Sequence, residues 1–167
     1  MTILDPARSE RADRMLSVLR IVAAVLFIEH GTQKVWDVPP MAGTAVPYHL
    51  LSMNGIAGVL ETFGGIALLL GLLTRPIAFL LAGEMAVAYF KVHIPRSIFP
   101  IVNRGDSPVL FCFLFLYLVF AGPGVWSLDY AIASVRAKRL GAPTPDRERL
   151  SAHEFPHRAP RGTITTL

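Results

Sequence analysis

Apolar positions fall into four long runs along this chain, at about Met15 to Trp36, Gly55 to Leu73, Pro76 to Tyr89 with an extension toward His93, and Pro108 to Val125. Crossing a bilayer takes roughly 20 apolar residues as a helix, so each run is a candidate span. A basic region precedes the first, as in a secretion signal. No small-residue cleavage site follows it and three more spans do, so it reads as a retained helix. Only Thr74, Arg75 and Pro76 separate the second run from the third; proline suits a first helical turn, and the two helices must form an antiparallel hairpin. Ala121-Gly122-Pro123-Gly124 ends the fourth helix, after which Ser127 is placed to cap a short helix over Leu128 to Leu140. The fold class predicted is all-α, an integral membrane four-helix bundle with a short interfacial helix after the fourth span. Its parts are an N-terminal arm (residues 1–14), a transmembrane unit (15–126), the interfacial helix (127–140) and a proline- and charge-rich tail (141–167) expected to be disordered.

Composition agrees with a lipid environment. Of the 167 residues, 53% are hydrophobic and 17% charged, and the mean hydropathy is +0.49. The formal charge of +4 is carried mostly by the ends, by Arg8, Arg11 and Arg14 before the first run and by seven Lys and Arg residues from Arg136 to Arg161 after the last. Basic ends around apolar spans point to membrane lipid as a partner and exclude nucleic acid. The loop DVPPMAGTAVPYHLLSMN has no Lys or Arg, so the positive-inside rule places both termini and the Thr74 turn in the cytoplasm, across an inner (plasma) membrane. The loop HIPRSIFPIVNRGDS, with Arg96 and Arg104, dissents. Trp126 and Tyr130 are expected at headgroup level, with Arg136, Lys138 and Arg139 toward anionic lipid. Cys112 is the one cysteine, which leaves no disulfide and no thiolate cluster.

The ionisable residues inside the runs are the candidate chemistry. At about 1.5 Å per residue, Glu29 and His30 lie roughly 9 to 11 Å below the end of the first helix, Glu61 about 9 Å down the second and Glu84 about 10 Å down the third. Lys34, Lys91 and His93 sit just above them. Each such group costs roughly 2.5 to 3.5 kcal/mol at the centre of a lone helix, so they should face one another. Glu61, Glu84 and His30 are the candidate catalytic residues, and His30, Lys34, Glu29 and Arg20 the candidate binding residues. Two bland readings stand beside this: the carboxylates pair with Lys34, His30 or Arg20 as a clasp that fixes helix packing, and Arg20 snorkels to the inner surface. Haem or metal ligation by His30 and His93 has only two histidines without fixed spacing behind it, and no metal is expected. His49 belongs to a loop, and His153 and His157 to the tail.

The strings EHGTQK, GVLETFGGIALLLGLLTRP, AGEMAVAYFKVH, NRGDSPVLFCFLFLYL and AGPGVWSLD, in that order over about residues 16–130, resemble the DoxX family of bacterial and archaeal membrane proteins. The family pattern Asn-x-Gly-Glu reads Asn103, Arg104, Gly105 and Asp106 here, with a shorter acid. The resemblance implies four membrane helices, and the family name comes from a subunit of a thiosulfate:quinone oxidoreductase. No flavin, nicotinamide or iron–sulfur motif occurs, so catalysis would depend on a quinone or a peripheral redox subunit. The favoured expectation is the membrane subunit of a quinone-linked oxidoreductase or redox-homeostasis complex, with a polar site in the outer half of the bundle. The alternatives are a non-catalytic assembly or anchor protein that recruits a peripheral enzyme, and a proton-coupled small-solute transporter, which four helices would support only as a homo-oligomer.

Overall fold

The computed structural model describes residues 6–40 and 49–144. The expected tail beyond 144 and most of the first loop lie outside them. Six α-helices occur among the described residues, α1 (Pro6–Trp36), α2 (Met53–Leu70), α3 (Thr74–Ala88), α4 (Pro100–Asn103), α5 (Asp106–Ala121) and α6 (Leu128–Leu140), and no strand. A single π-helical turn, Tyr89–His93, extends α3. The fold is all-α; α1 packs on α2 and α3 on α5, and α2 with α3 and α1 with α5 complete the ring. We call the end carrying Trp36, Met53 and His93 the upper end, and the end carrying Thr74 and Ala121 the lower. Two helical stretches, Glu10–Trp36 and Met53–Leu70, are long and apolar enough to cross a membrane, and Asp106–Ala121 is apolar but shorter.

Local chemistry explains the boundaries. Helix α1 begins at Pro6, well before the apolar run, because Pro6 suits a first turn and the arm behind it holds good helix formers, with Arg14 and Glu10 paired at 2.5 Å one turn apart. The arm expected as a separate segment is therefore continuous with the first long helix. The Ser52 hydroxyl accepts from Gly55 N at the start of α2, and Gly71, with φ +66, closes its end in the left-handed conformation. Ser127 caps α6 by accepting from Tyr130 N.

Small residues set the α1–α2 contact. A Cβ on Gly31 would stand 2.5 Å from Thr62 N and 2.8 Å from Gly58 O, and one on Gly65 would stand 2.7 Å from Ile28 Cγ1. The two backbones touch along this seam, as helices do where apolar solvent gives no drive to pack large side chains. The α3–α5 pair closes instead on Ala78, Leu81, Met85, Phe115 and Leu118, and Phe27 of α1 meets Phe115 edge-on at 4.9 Å between ring centroids. Large apolar side chains also cover the outside: Val22, Phe63, Phe79, Phe90, Phe113 and Phe120 are all more than half exposed. An exterior this apolar is suited to lipid.

The lower end is locked by residues distant in sequence. Arg20, fully buried, donates from Nε to Pro123 O at 2.9 Å, from Nη1 to Leu69 O at 2.8 Å and to Leu68 O, and from Nη2 to Trp126 O at 2.5 Å. Two of these carbonyls belong to the last turn of α2, where a helix has unpaired acceptors and the negative end of its dipole. Asp129 accepts from Leu73 N at 2.9 Å and Thr74 N at 2.8 Å, and so caps α3 from α6. Arg75 donates to Val119 O at 2.7 Å near the end of α5.

Candidate functional site

A cavity of about 790 Å³ opens between α2 and α3, with α1 and the start of α5 behind it. The rim includes Met53, Ile56, Phe79, Leu80 and Val87, all exposed, so the slot faces sideways, out of the helix ring. Its wall is apolar except for a few groups: His30 and Lys34 from α1, Asn54 and Glu61 from α2, Glu84 from α3, His93 from the π turn, and Arg104 and Ser107 around the head of α5.

Lys34 Nζ donates to Glu61 Oε1 at 2.6 Å, joining α1 to α2. Glu61 is 2% exposed, and its Oε2 has no hydrogen-bond partner; neither has either carboxyl oxygen of Glu84, both of them buried. Glu84 stands within electrostatic range of Glu61 and Lys34, and Glu61 within that of His30. The His30 ring approaches Phe111 edge-on, with centroids 6.0 Å apart. Its Nδ1 lies 2.7 Å from Leu26 O, and that of His93 lies 3.0 Å from Asn103 O. A carbonyl only accepts, so Nδ1 carries the proton in both rings and Nε2 is left as an acceptor, or as a donor in the imidazolium. The upper slot thus offers one ammonium, one guanidinium, two imidazoles and three unpaired carboxyl oxygens against an apolar wall. Such a site can orient a largely apolar ligand by one polar end.

Four of the residues singled out by depth, His30, Lys34, Glu61 and Glu84, come together on this slot. Glu29 does not: it is exposed, off the cavity wall, and its backbone carbonyl accepts from Thr32 Oγ1 at 3.2 Å. Arg20 is also elsewhere, its guanidinium turned inward onto four backbone carbonyls at the lower end, neither at the slot nor snorkelled to the surface. Asp106 is exposed in the first turn of α5, and the slot is lined by its neighbours Arg104 and Ser107. Phe111 and Ser107 were not marked by the charge pattern, since only tertiary contact gives them a place. Among the described residues no group of three or more His, Cys, Asp or Glu is placed to hold a metal ion.

Residues 15–94 match the DoxX family. A relative from Haemophilus influenzae, described as an uncharacterized protein, is 47% identical over 120 residues, covering 68% of this chain and 87% of its own length. No solved structure matches the chain.

Proposed function

This chain belongs to the DoxX family of membrane proteins, and from that premise we propose that its lateral slot binds a quinone, as part of a quinone-linked redox system in the cytoplasmic membrane. In this reading α1, α2, α3 with its π turn, and α5 all cross the bilayer, with both termini in the cytoplasm and the slot in the outer half. The observation that carries it is the slot itself: an apolar cleft of about 790 Å³, open toward lipid, with Lys34, His30 and two carboxyl groups converging at its back. A quinone needs donors for its carbonyl oxygens and an apolar channel for its tail. Lys34 and His30 supply the first, Phe79, Leu80, Met85 and Val87 the second. A bound quinone supplies two-electron acceptance; Glu61 and Glu84 stand where protons would be taken up or held. Electrons come from a peripheral partner.

The test is binding of short-chain ubiquinone and menaquinone analogues to the purified protein in lipid nanodiscs. Saturable binding that weakens about tenfold or more in Glu61→Gln or Glu84→Gln, in protein that still accumulates, is the expected result; ten-fold corresponds to about 1.4 kcal/mol. No saturable binding, or affinity unchanged in both variants, overturns it. The Lys34–Glu61 ion pair between α1 and α2 favours one other reading, an assembly protein in which the buried charges serve only as a clasp. Loss of accumulation in Glu61→Gln, with no binding to wild type, would support that reading.

A further inference from the structure

The connection between the π turn and α5 is built unlike an ordinary surface loop. Ile98, Phe99, Ile101 and Val102 are 69%, 61%, 82% and 67% exposed, four large apolar side chains within five residues at the upper end. The backbone beneath them is tied down by dedicated polar groups. Tyr89 Oη donates to Ile98 O at 3.0 Å, Asn103 Nδ2 donates to Ser97 O at 2.6 Å, and Phe99 N donates to Ser97 Oγ at 3.1 Å. Val102 N and Asn103 N both donate to Phe99 O at 3.0 Å, and Gly105 N to Asn103 Oδ1 at 2.7 Å. Gly105 is required there: a Cβ would fall 2.6 Å from Asn103 Oδ1 and 2.7 Å from the Tyr89 ring. A turn held this firmly can sit at the headgroup–acyl boundary and send its apolar side chains into the leaflet while its backbone stays at the interface.

Two further observations fix the surroundings. Below the turn, Phe90 and Leu110 are 65% and 70% exposed, so the four side chains continue the apolar exterior of α3 and α5 upward. Helix α5, with 16 residues, rises only about 24 Å and falls short of a hydrocarbon core of about 30 Å. An apolar cap above it supplies the missing height. Lys91, Arg96 and Arg104, all exposed, flank the turn with positive charge, the sign that suits phosphate headgroups.

We propose that residues 97–102 form a membrane-insertion element, in which Ile98, Phe99, Ile101 and Val102 enter the upper leaflet while Lys91, Arg96 and Arg104 contact lipid phosphates. The element is preformed, and it anchors the α3–α5 pair at the lipid surface beside the mouth of the slot. It does not depend on what the slot binds.

The experiment places a tryptophan on the turn. Phe99→Trp and, separately, Ile101→Trp are made in full-length protein carrying Trp36→Phe and Trp126→Phe, and reconstituted in nanodiscs of phosphatidylcholine and phosphatidylglycerol. Expected for both are blue-shifted emission, at least twofold stronger quenching by bromines at the 6,7 acyl positions than at 11,12, and several-fold protection from acrylamide relative to a free tryptophan analogue. Acrylamide quenching close to that of the free analogue, with no effect of brominated lipid at either site, would overturn the proposal and leave the turn as a water-facing surface for a protein partner. Both sites are already exposed, so neither substitution disturbs packing, and the two probes check each other.

Discussion

Arg20 gives the sharpest test of the lower lock. Its guanidinium reaches four carbonyls, of Leu68, Leu69, Pro123 and Trp126, and the residue is 0% exposed. A hydrogen bond to a charged group contributes about 1.5 to 3 kcal/mol net, so four give an upper sum of roughly 6 to 12 kcal/mol. Such sums are not additive: Leu68 O also accepts from Gly71 N at 3.0 Å, and part of the gain offsets the desolvation of the cation. Truncation to alanine leaves a cavity and strands the carbonyls, and about 4 kcal/mol is the expected loss, near what breaking one side of a buried charged network costs. Arg20→Lys should lose roughly half of that, about 2 kcal/mol, because one ammonium cannot span the carbonyls of α2 and of the 123–126 strap as a planar fork does. Titration of the detergent-solubilised protein with SDS, in a Trp36→Phe background and followed through Trp126 fluorescence, measures both. If Arg20→Ala unfolds within about 1 kcal/mol of wild type, below the ordinary cost of a buried truncation, the guanidinium is at the surface and the lock does not hold the fold.

Other outcomes follow from the same geometry. Gly31→Ala places a methyl against Thr62 N and Gly58 O, both backbone, and should destabilise by about 1 to 3 kcal/mol through helix separation, read as a lower Tm and reduced membrane accumulation. Lys34→Met strands the Glu61 carboxylate and should cost about 3 kcal/mol, whereas Lys34→Met with Glu61→Met recovers at least half; a coupling below about 0.5 kcal/mol in this double-mutant cycle would mean that the pair is solvated. Asp129→Asn keeps one acceptor but loses charge at the start of α3, and should cost about 1 kcal/mol, with faster hydrogen exchange at the Leu73 and Thr74 amides.

Much of the helical layout could be read from apolar runs, because run length and stop residues are local signals: the Thr74 turn, the Gly122–Gly124 break and the Ser127 cap all act within a few residues. Depth was legible too, since rise per residue needs only counting, and His30, Lys34, Glu61 and Glu84 are found on one cavity. Facing was not. The rule that costly groups converge placed Glu29 in the cluster, yet Glu29 and His30 are adjacent on one helix, about 100° apart, and only His30 reaches the slot, both being exposed. Arg20 failed as a slot residue for a different reason: its partners are backbone carbonyls, which leave no trace in a sequence of side chains. The start of α1 at Pro6 shows that the apolar run marks where lipid suits the chain, whereas helix propensity alone carries the helix further.

The lower lock also has a meaning in time. Arg20 is made long before two of its acceptors, since Pro123 and Trp126 lie 103 and 106 residues later in the chain. At about 5 to 20 residues per second, the guanidinium waits roughly 5 to 20 s in the nascent chain before those carbonyls exist. Asp129, which caps α3, arrives later still. A chain cut off after Ala121 would carry α1, α2, α3 and α5 and none of the 123–129 strap that joins them. Closure of the lower end is therefore a late event in synthesis, when a strap made about a hundred residues after Arg20 reaches back and silences a charge laid down long before it.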